Sequence, residues 1–270
     1  MLQLARTEWL KLKGYWAFWV MIGITLLTYP GVNTLMYYAW KDISSQKNKA
    51  GEVLGLIFGQ PFAFPEVWKT TAYFSSFFVF VPSILVIMLI TNEYSYKTQR
   101  QNVIDGWSRR EFITAKFINV LIISILITLL YMAAAAVIGI INTKATASIW
   151  AESKYILLFS LQTFAQLSFA FLIGFLVRRA FLALGIFVFY YFIVENITVQ
   201  LLKFKAHDEG SFLPLEISDR IVPPPTFLGK IKPEDYEKAL NAINIHIVYT
   251  FIVLLIIWAF SFWLNGKRDL

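Results

Sequence analysis

The chain has 270 residues, 58% hydrophobic and 17% aromatic but only 15% charged, where a soluble domain carries roughly 25% charged residues. Its mean hydropathy of +0.61 is too high for an ordinary core, so part of its solvent is lipid, which excludes a soluble enzyme, a disordered scaffold and a secreted module. No cysteine and two histidines, His207 and His246, leave no disulfide, thiolate nucleophile or histidine-rich metal site, and the excess of 24 basic over 17 acidic residues reads as basic loops held on the cytoplasmic side of a membrane rather than as nucleic-acid binding.

Residues 1–14 read as a helix lying in the headgroup layer. Leu2, Ala5, Trp9 and Leu12 share one face, Gln3, Thr7 and Lys11 oppose them, and Arg6 and Lys13 flank the apolar stripe. A plain charged tail is the alternative. Six apolar stretches can cross about 30 Å of hydrocarbon: 16–38, 72–92, 117–141, 155–177, 181–202 and 245–264. In the first, Pro30, Gly31 and Asn33 predict a kink or unwinding of the outer half. Its length, with no Ala-x-Ala site after it, speaks against a cleaved signal peptide. Segment 51–68 is apolar but too short and broken to span, and is expected at the outer interface.

After span two, Tyr94–Ile104 contains no helix breaker and should continue as a polar helix. Asp105 and Gly106 then stop it with a turn. Ser108 is an N-cap candidate, and Glu111, three residues on, completes a capping box. Segment 93–116 thus reads as helix, sharp turn, helix, presenting Arg100, Arg109 and Arg110. A solvated basic loop that only sets topology is the other reading.

Spans four and five are separated only by Arg178, Arg179 and Ala180, a tight helical hairpin. Gln162 and Gln166, one turn apart on span four, either line a path or hydrogen-bond between helices. Glu195 and Asn196 stand in the outer part of span five. Intramembrane carboxylates are costly, so Glu195 sits at the interface, pairs internally, or faces a pathway. Segment 203–244 is the only long soluble piece. Pro223, Pro224 and Pro225 exclude a helix interior, while 233–241 reads as a short helix opened by Pro233.

Six spans place both termini on one side. If that side is inside, the inner and outer segments hold 12 basic residues each, but the outer ones are nearly twice as long in total. Basic density therefore puts the termini and 93–116 in the cytoplasm. The acidic residues Asp208, Glu209, Glu216, Asp219, Glu234, Asp235 and Glu237 gather on the outer side.

No phosphate-binding Gly-x-x-x-x-Gly-Lys motif, no His-Glu-x-x-His and no Gly-x-Ser-x-Gly occurs. Catalytic, cofactor-binding and metal-ligating residues are accordingly expected to be absent. There is no internal repeat, so an inverted-repeat transporter is unsupported.

The pattern Glu93, Thr98, Gly106, Ser108, Arg109, Phe112 and Lys116 resembles the signature after the second span of ABC-2 type permease subunits. The layout is similar too: an interfacial helix, six spans and a proline-containing outer segment before the last. Lys97 departs from the pattern, since many relatives carry glycine there. The resemblance implies an all-α polytopic membrane protein with short outer-face helices before span six. It further implies a coupling helix within 93–116, two copies of an ATP-binding subunit that hold ATP and Mg, and a second permease copy, identical or related. Its place would be a bacterial cytoplasmic membrane, and its work ATP-driven export. The alternatives are a non-transporting membrane anchor for an ATPase-driven machine and, further off, a lipid-modifying enzyme.

Overall fold

Residues 13–44, 59–104, 106–143, 148–205 and 209–267 are described by a computed structural model, and no strand occurs among them. The predicted interfacial helix falls almost wholly on residues 1–12, outside the described residues. In chain order the helices are α1 (Trp16–Ser44), α2 (Val67–Ser76), α3 (Phe80–Ser95), α4 (Thr98–Ile104), α5 (Arg109–Asn142), α6 (Lys154–Val177) and α7 (Ala180–Phe189). A π turn, Tyr190–Val194, joins α7 to α8 (Glu195–Lys205). The short α9 (Glu216–Asp219) and α10 (Thr226–Gly229) precede α11 (Pro233–Lys267). Five of these stretches are long and apolar enough to span a membrane, and the bent pair α2–α3 makes a sixth.

Burial follows the logic of a bilayer solvent. Leu27, Leu157, Phe181 and Leu255 are each at least 70% exposed, which is stable only against hydrocarbon. The inner faces converge on α6, whose Phe159, Phe171 and Phe175 are buried against α3, α5 and α11. A Cβ added to Gly174 of α6 would stand 2.4 Å from Cγ2 of Ile90 and 3.4 Å from Cα of Ile87. Glycine here lets α3 and α6 approach closely, the usual device of membrane helix pairs. Five buried hydroxyls are satisfied within their own helices. Ser83, Thr91, Thr128, Ser168 and Ser261 each donate to the carbonyl one turn back.

Four sequence expectations are corrected. Pro30 does not unwind the first span, because α1 runs through it without interruption. Just beyond it, Asn33 donates from Nδ2 to the Tyr29 carbonyl at 2.8 Å and to Ser75 Oγ at 2.9 Å, which pins the weakened turn to α2. The predicted unbroken span 72–92 instead starts at Val67 and bends by 50° between α2 and α3. Pro82 supplies the reason. It has no N–H for the Phe78 carbonyl, which accepts from Val81 N at 3.1 Å instead.

Part of segment 51–68 is core rather than interface, since Phe62, Phe64, Val67 and Trp68 are all at most 7% exposed. Tyr131 Oη donates to the Trp68 carbonyl at 2.6 Å, and Trp68 Nε1 donates to the Ile149 carbonyl at 2.7 Å. Segment 203–244 is not a solvated loop either. Leu215, Ile217, Ser218, Ile221 and Val222 are at most 3% exposed, because this apolar run dips back between the spans. The predicted short helix at 233–241 is the first part of α11, one rod of 35 residues opened by Pro233. That is about 52 Å at helical rise.

Candidate functional site

Two constellations lie at opposite ends of the bundle. At the arginine-rich end, α3 stops at Ser95 and Lys97 adopts φ 55. An L side chain in that left-handed region costs about 1–2 kcal/mol, so Tyr94–Ile104 is not the continuous helix its composition suggests. Thr98, at the start of α4, donates to the Glu93 carbonyl at 3.4 Å. Asp105 lies outside the described residues, and Gly106 follows at φ 96, where glycine is the residue that fits without strain. Ser108 is extended (φ −71, ψ 155) and caps α5. Its Oγ accepts from Glu111 N at 3.2 Å, and its N–H donates to Glu111 Oε2 at 2.7 Å. Those bonds from the Ser108 backbone and hydroxyl hold the Glu111 carboxyl below its usual value.

Two clasps secure this elbow. Glu93 and Lys116 form a buried ion pair, 7% and 5% exposed, and the Lys116 ammonium stands 5.2 Å from the Phe112 ring centre. Arg109 Nη1 donates to the Gly266 carbonyl at 2.9 Å, while Asn265 Nδ2 donates to the Arg109 carbonyl at 2.8 Å. The start of α5 is thereby tied to the last turn of α11. Arg110 beside it is exposed, and Arg100 falls on α4 with its side chain outside the description.

At the other end a cavity of about 1410 Å³ opens between the α2–α3 bend, the π turn, the 209–224 segment and the first turns of α11. Glu195 and Asp219 belong to its wall, and Gln162 and Gln166 are buried against Asp219. Gln162 and Gln166, both fully buried, donate from Nε2 to Oδ1 of Asp219 at 2.7 and 2.5 Å. Glu195, 4% exposed, accepts at Oε1 from the backbone N–H groups of Leu215 and Glu216, each at 2.8 Å. It thus receives the opening of α9. Asn196 is exposed on the cavity wall and donates back to the Tyr191 and Phe192 carbonyls at 3.1 and 3.3 Å. Aromatic rings cover the facing side, with Phe80 centred 5.9 Å from Tyr191 and 5.1 Å from Phe192.

The sequence matches the family described as ABC-2 family transporter protein over residues 4–194. The chain belongs to this ABC-2 family. A search of curated proteins finds no match. As an ABC-2 protein the chain is a multi-pass membrane permease of the ABC transporter type, a kind of subunit that works with an ABC ATP-binding partner. The matched region takes in the whole arginine-rich elbow and ends one residue before Glu195. Most of the cavity's polar wall therefore lies outside it.

For this ABC-2 permease the structure brings Glu93, Thr98, Gly106, Ser108 and Arg109 to one elbow, and Gln162, Gln166, Glu195 and Asn196 to the opposite end. Asp219 is the candidate-site residue that sequence reasoning passes over. Nothing in its own identity separates it from the six other acidic residues of 203–244. The available signal is its neighbourhood: Leu213, Leu215, Ile217, Ile221 and Val222 are too apolar for a solvated loop. Lys69 was missed for the same reason. It is 3% exposed, hydrogen-bonds the Tyr236 hydroxyl, and lies 5.5 Å from the Tyr155 ring centre, which fastens α2 to α11.

Proposed function

We propose that this chain is the permease half of an ATP-driven exporter in a bacterial cytoplasmic membrane. It pairs with a second permease copy and with two ATP-binding subunits, which carry the ATP and Mg. Both termini and the elbow at 93–116 face the cytoplasm in this reading, as the density of basic residues favours. The observation that carries it is the elbow itself. Two backbone positions at positive φ, Lys97 and Gly106, and a complete capping box hold α4 across the ends of α3 and α5. A slack topological loop needs none of these. Exposed Arg110 is available to pair with an acidic group of the ATPase.

The clasps then define the route of force. Closure of the ATPase dimer pushes α4, and the Glu93–Lys116 pair moves α3 and α5 together. Arg109 and Asn265 pass the displacement to the end of α11. That helix runs unbroken to the far end, where Asp235 and His246 belong to the cavity wall.

The test is reconstitution of the permease with its ATP-binding subunit in liposomes. The complex should hydrolyse ATP in a permease-dependent way, and Gly106→Val and Arg110→Glu should lower that rate about tenfold, as loss of roughly 1.4 kcal/mol of docking would. Permease abundance should be unchanged, since neither side chain is buried in the bundle. Full assembly and full coupled hydrolysis with both variants would contradict the reading. Hydrolysis without movement of any solute would favour the anchor instead.

A further inference from the structure

Cavity-lining charges sort by depth. At the rim Lys203, Asp235 and Lys238 are all exposed. Deeper in, Arg220 is bound to Glu216 at 2.7 Å, so those two charges cancel. Asp219 and Glu195 are left, and among the described residues neither has an ion-pair partner. Asp219 receives two neutral amide donors on one oxygen, and Glu195 receives two backbone N–H groups on one oxygen. The second oxygen of Glu195, Oε2, is buried without any hydrogen bond. A polar atom left so in a low-dielectric site is costly unless something else meets it. Oε2 is an acceptor, and Glu195 belongs to the cavity wall. What is missing from this wall is positive charge or donated protons.

The backbone is shaped around the same point. The π turn Tyr190–Val194 ends immediately before Glu195. Such an inserted residue re-aims side chains and recurs at functional sites. It sets Tyr191 and Phe192 beside Phe80, and Tyr73 and Phe77 extend the ring wall along the α2–α3 bend. Aromatic faces attract cations as well as apolar groups. The cavity also exceeds the roughly 300–1,000 Å³ that suits drug-sized ligands, so a bulky molecule fits.

We infer that this cavity binds an amphipathic organic cation, its charged centre against Glu195 and Asp219 and its apolar body against Tyr73, Phe80, Tyr191 and Phe192. An anion would face two uncompensated carboxylates, and a neutral molecule would leave their charge unbalanced. Assigning the cavity to exported cargo rests on the permease reading. Binding itself does not, because it is measured on the permease alone.

The probes are tetraphenylphosphonium and tetraphenylborate, near-identical in shape and opposite in charge. Equilibrium binding of each to the purified full chain is compared with binding to Asp219→Asn/Glu195→Gln, so that partition into detergent cancels. The ratio of cation to anion affinity should fall at least tenfold from the native chain to the variant, while Lys41→Gln, at an exposed position outside the cavity wall, leaves it unchanged. Should the double variant unfold early in a thermal scan, Glu195→Gln alone provides the comparison. It preserves an acceptor for Leu215 and Glu216, and is expected to lower the ratio several-fold. Equal ratios in native and variant chains, or tighter binding of tetraphenylborate, would overturn the assignment. Absence of any permease-dependent ATP hydrolysis, with intact cation binding, would sink the permease mechanism and leave this site standing.

Discussion

At the arginine-rich end Glu93 meets Lys116 and Arg109 meets the last turn of α11, whereas at the cavity end Glu195 and Asp219 hold only neutral donors. Both ends bury carboxylates within the same helical bundle, and they handle the cost differently. A buried charge that is paired fixes geometry, because removing either member leaves the other uncompensated. A buried charge without an ion pair is costly to hold, and inside a membrane bundle it marks a candidate binding site. The first end has the construction of a joint and the second that of a receptor.

The sharpest way to break that comparison is to neutralise one charge at each end. Lys116→Met removes the ammonium that pairs with Glu93 inside the bundle, and should cost about 3–5 kcal/mol in thermal unfolding of the detergent-solubilised chain. The pair Lys116→Met/Glu93→Gln should recover most of it. Glu195→Gln should cost less than about 1 kcal/mol, since the amide oxygen accepts the same backbone N–H bonds. If Glu195→Gln proved as damaging as Lys116→Met, the carboxylate would be structural and the distinction between the ends would fail.

A smaller effect sharpens the picture of the joint. Ser108→Ala removes the cap of α5 and should cost about 1 kcal/mol. The capped Glu111 adds a pH signature. Its folded pKa is lowered, so its contribution is fully present above the unfolded glutamate value near 4.3 and is lost as pH falls through the lower folded value. Acid unfolding of the native chain should therefore steepen below about pH 4. Ser108→Ala should show a shallower acid limb, and identical limbs would show that the capping box contributes nothing.

How much of this was legible in the sequence depends on whether the deciding contact is local. The hairpin at Arg178–Ala180 and the capping box at Ser108 involve residues three or fewer apart, and both read correctly. Pro30 and Pro82 show where local reading stops. Each removes a helical N–H, yet α1 continues because Asn33 reaches Ser75 on another helix, while the second span bends. The same limit hid the elbow at Lys97, since lysine gives no sign of a positive φ. It hid the cavity wall most completely. Asp219 is one of seven acidic residues in 203–244, and its partners Gln162 and Gln166 lie more than 50 residues away.

All of this requires the two ends to face different compartments, and the cysteine-free chain makes that directly measurable. Single cysteines at Ile104, 78% exposed on α4, and at exposed Lys230 beyond α10 would be challenged on intact cells with a membrane-impermeant thiol reagent. The account predicts that Lys230→Cys labels and that Ile104→Cys labels only after the cells are opened. Labelling of Ile104→Cys from outside, with Lys230→Cys protected, would put the elbow beyond reach of any cytoplasmic ATPase and contradict the account at its centre.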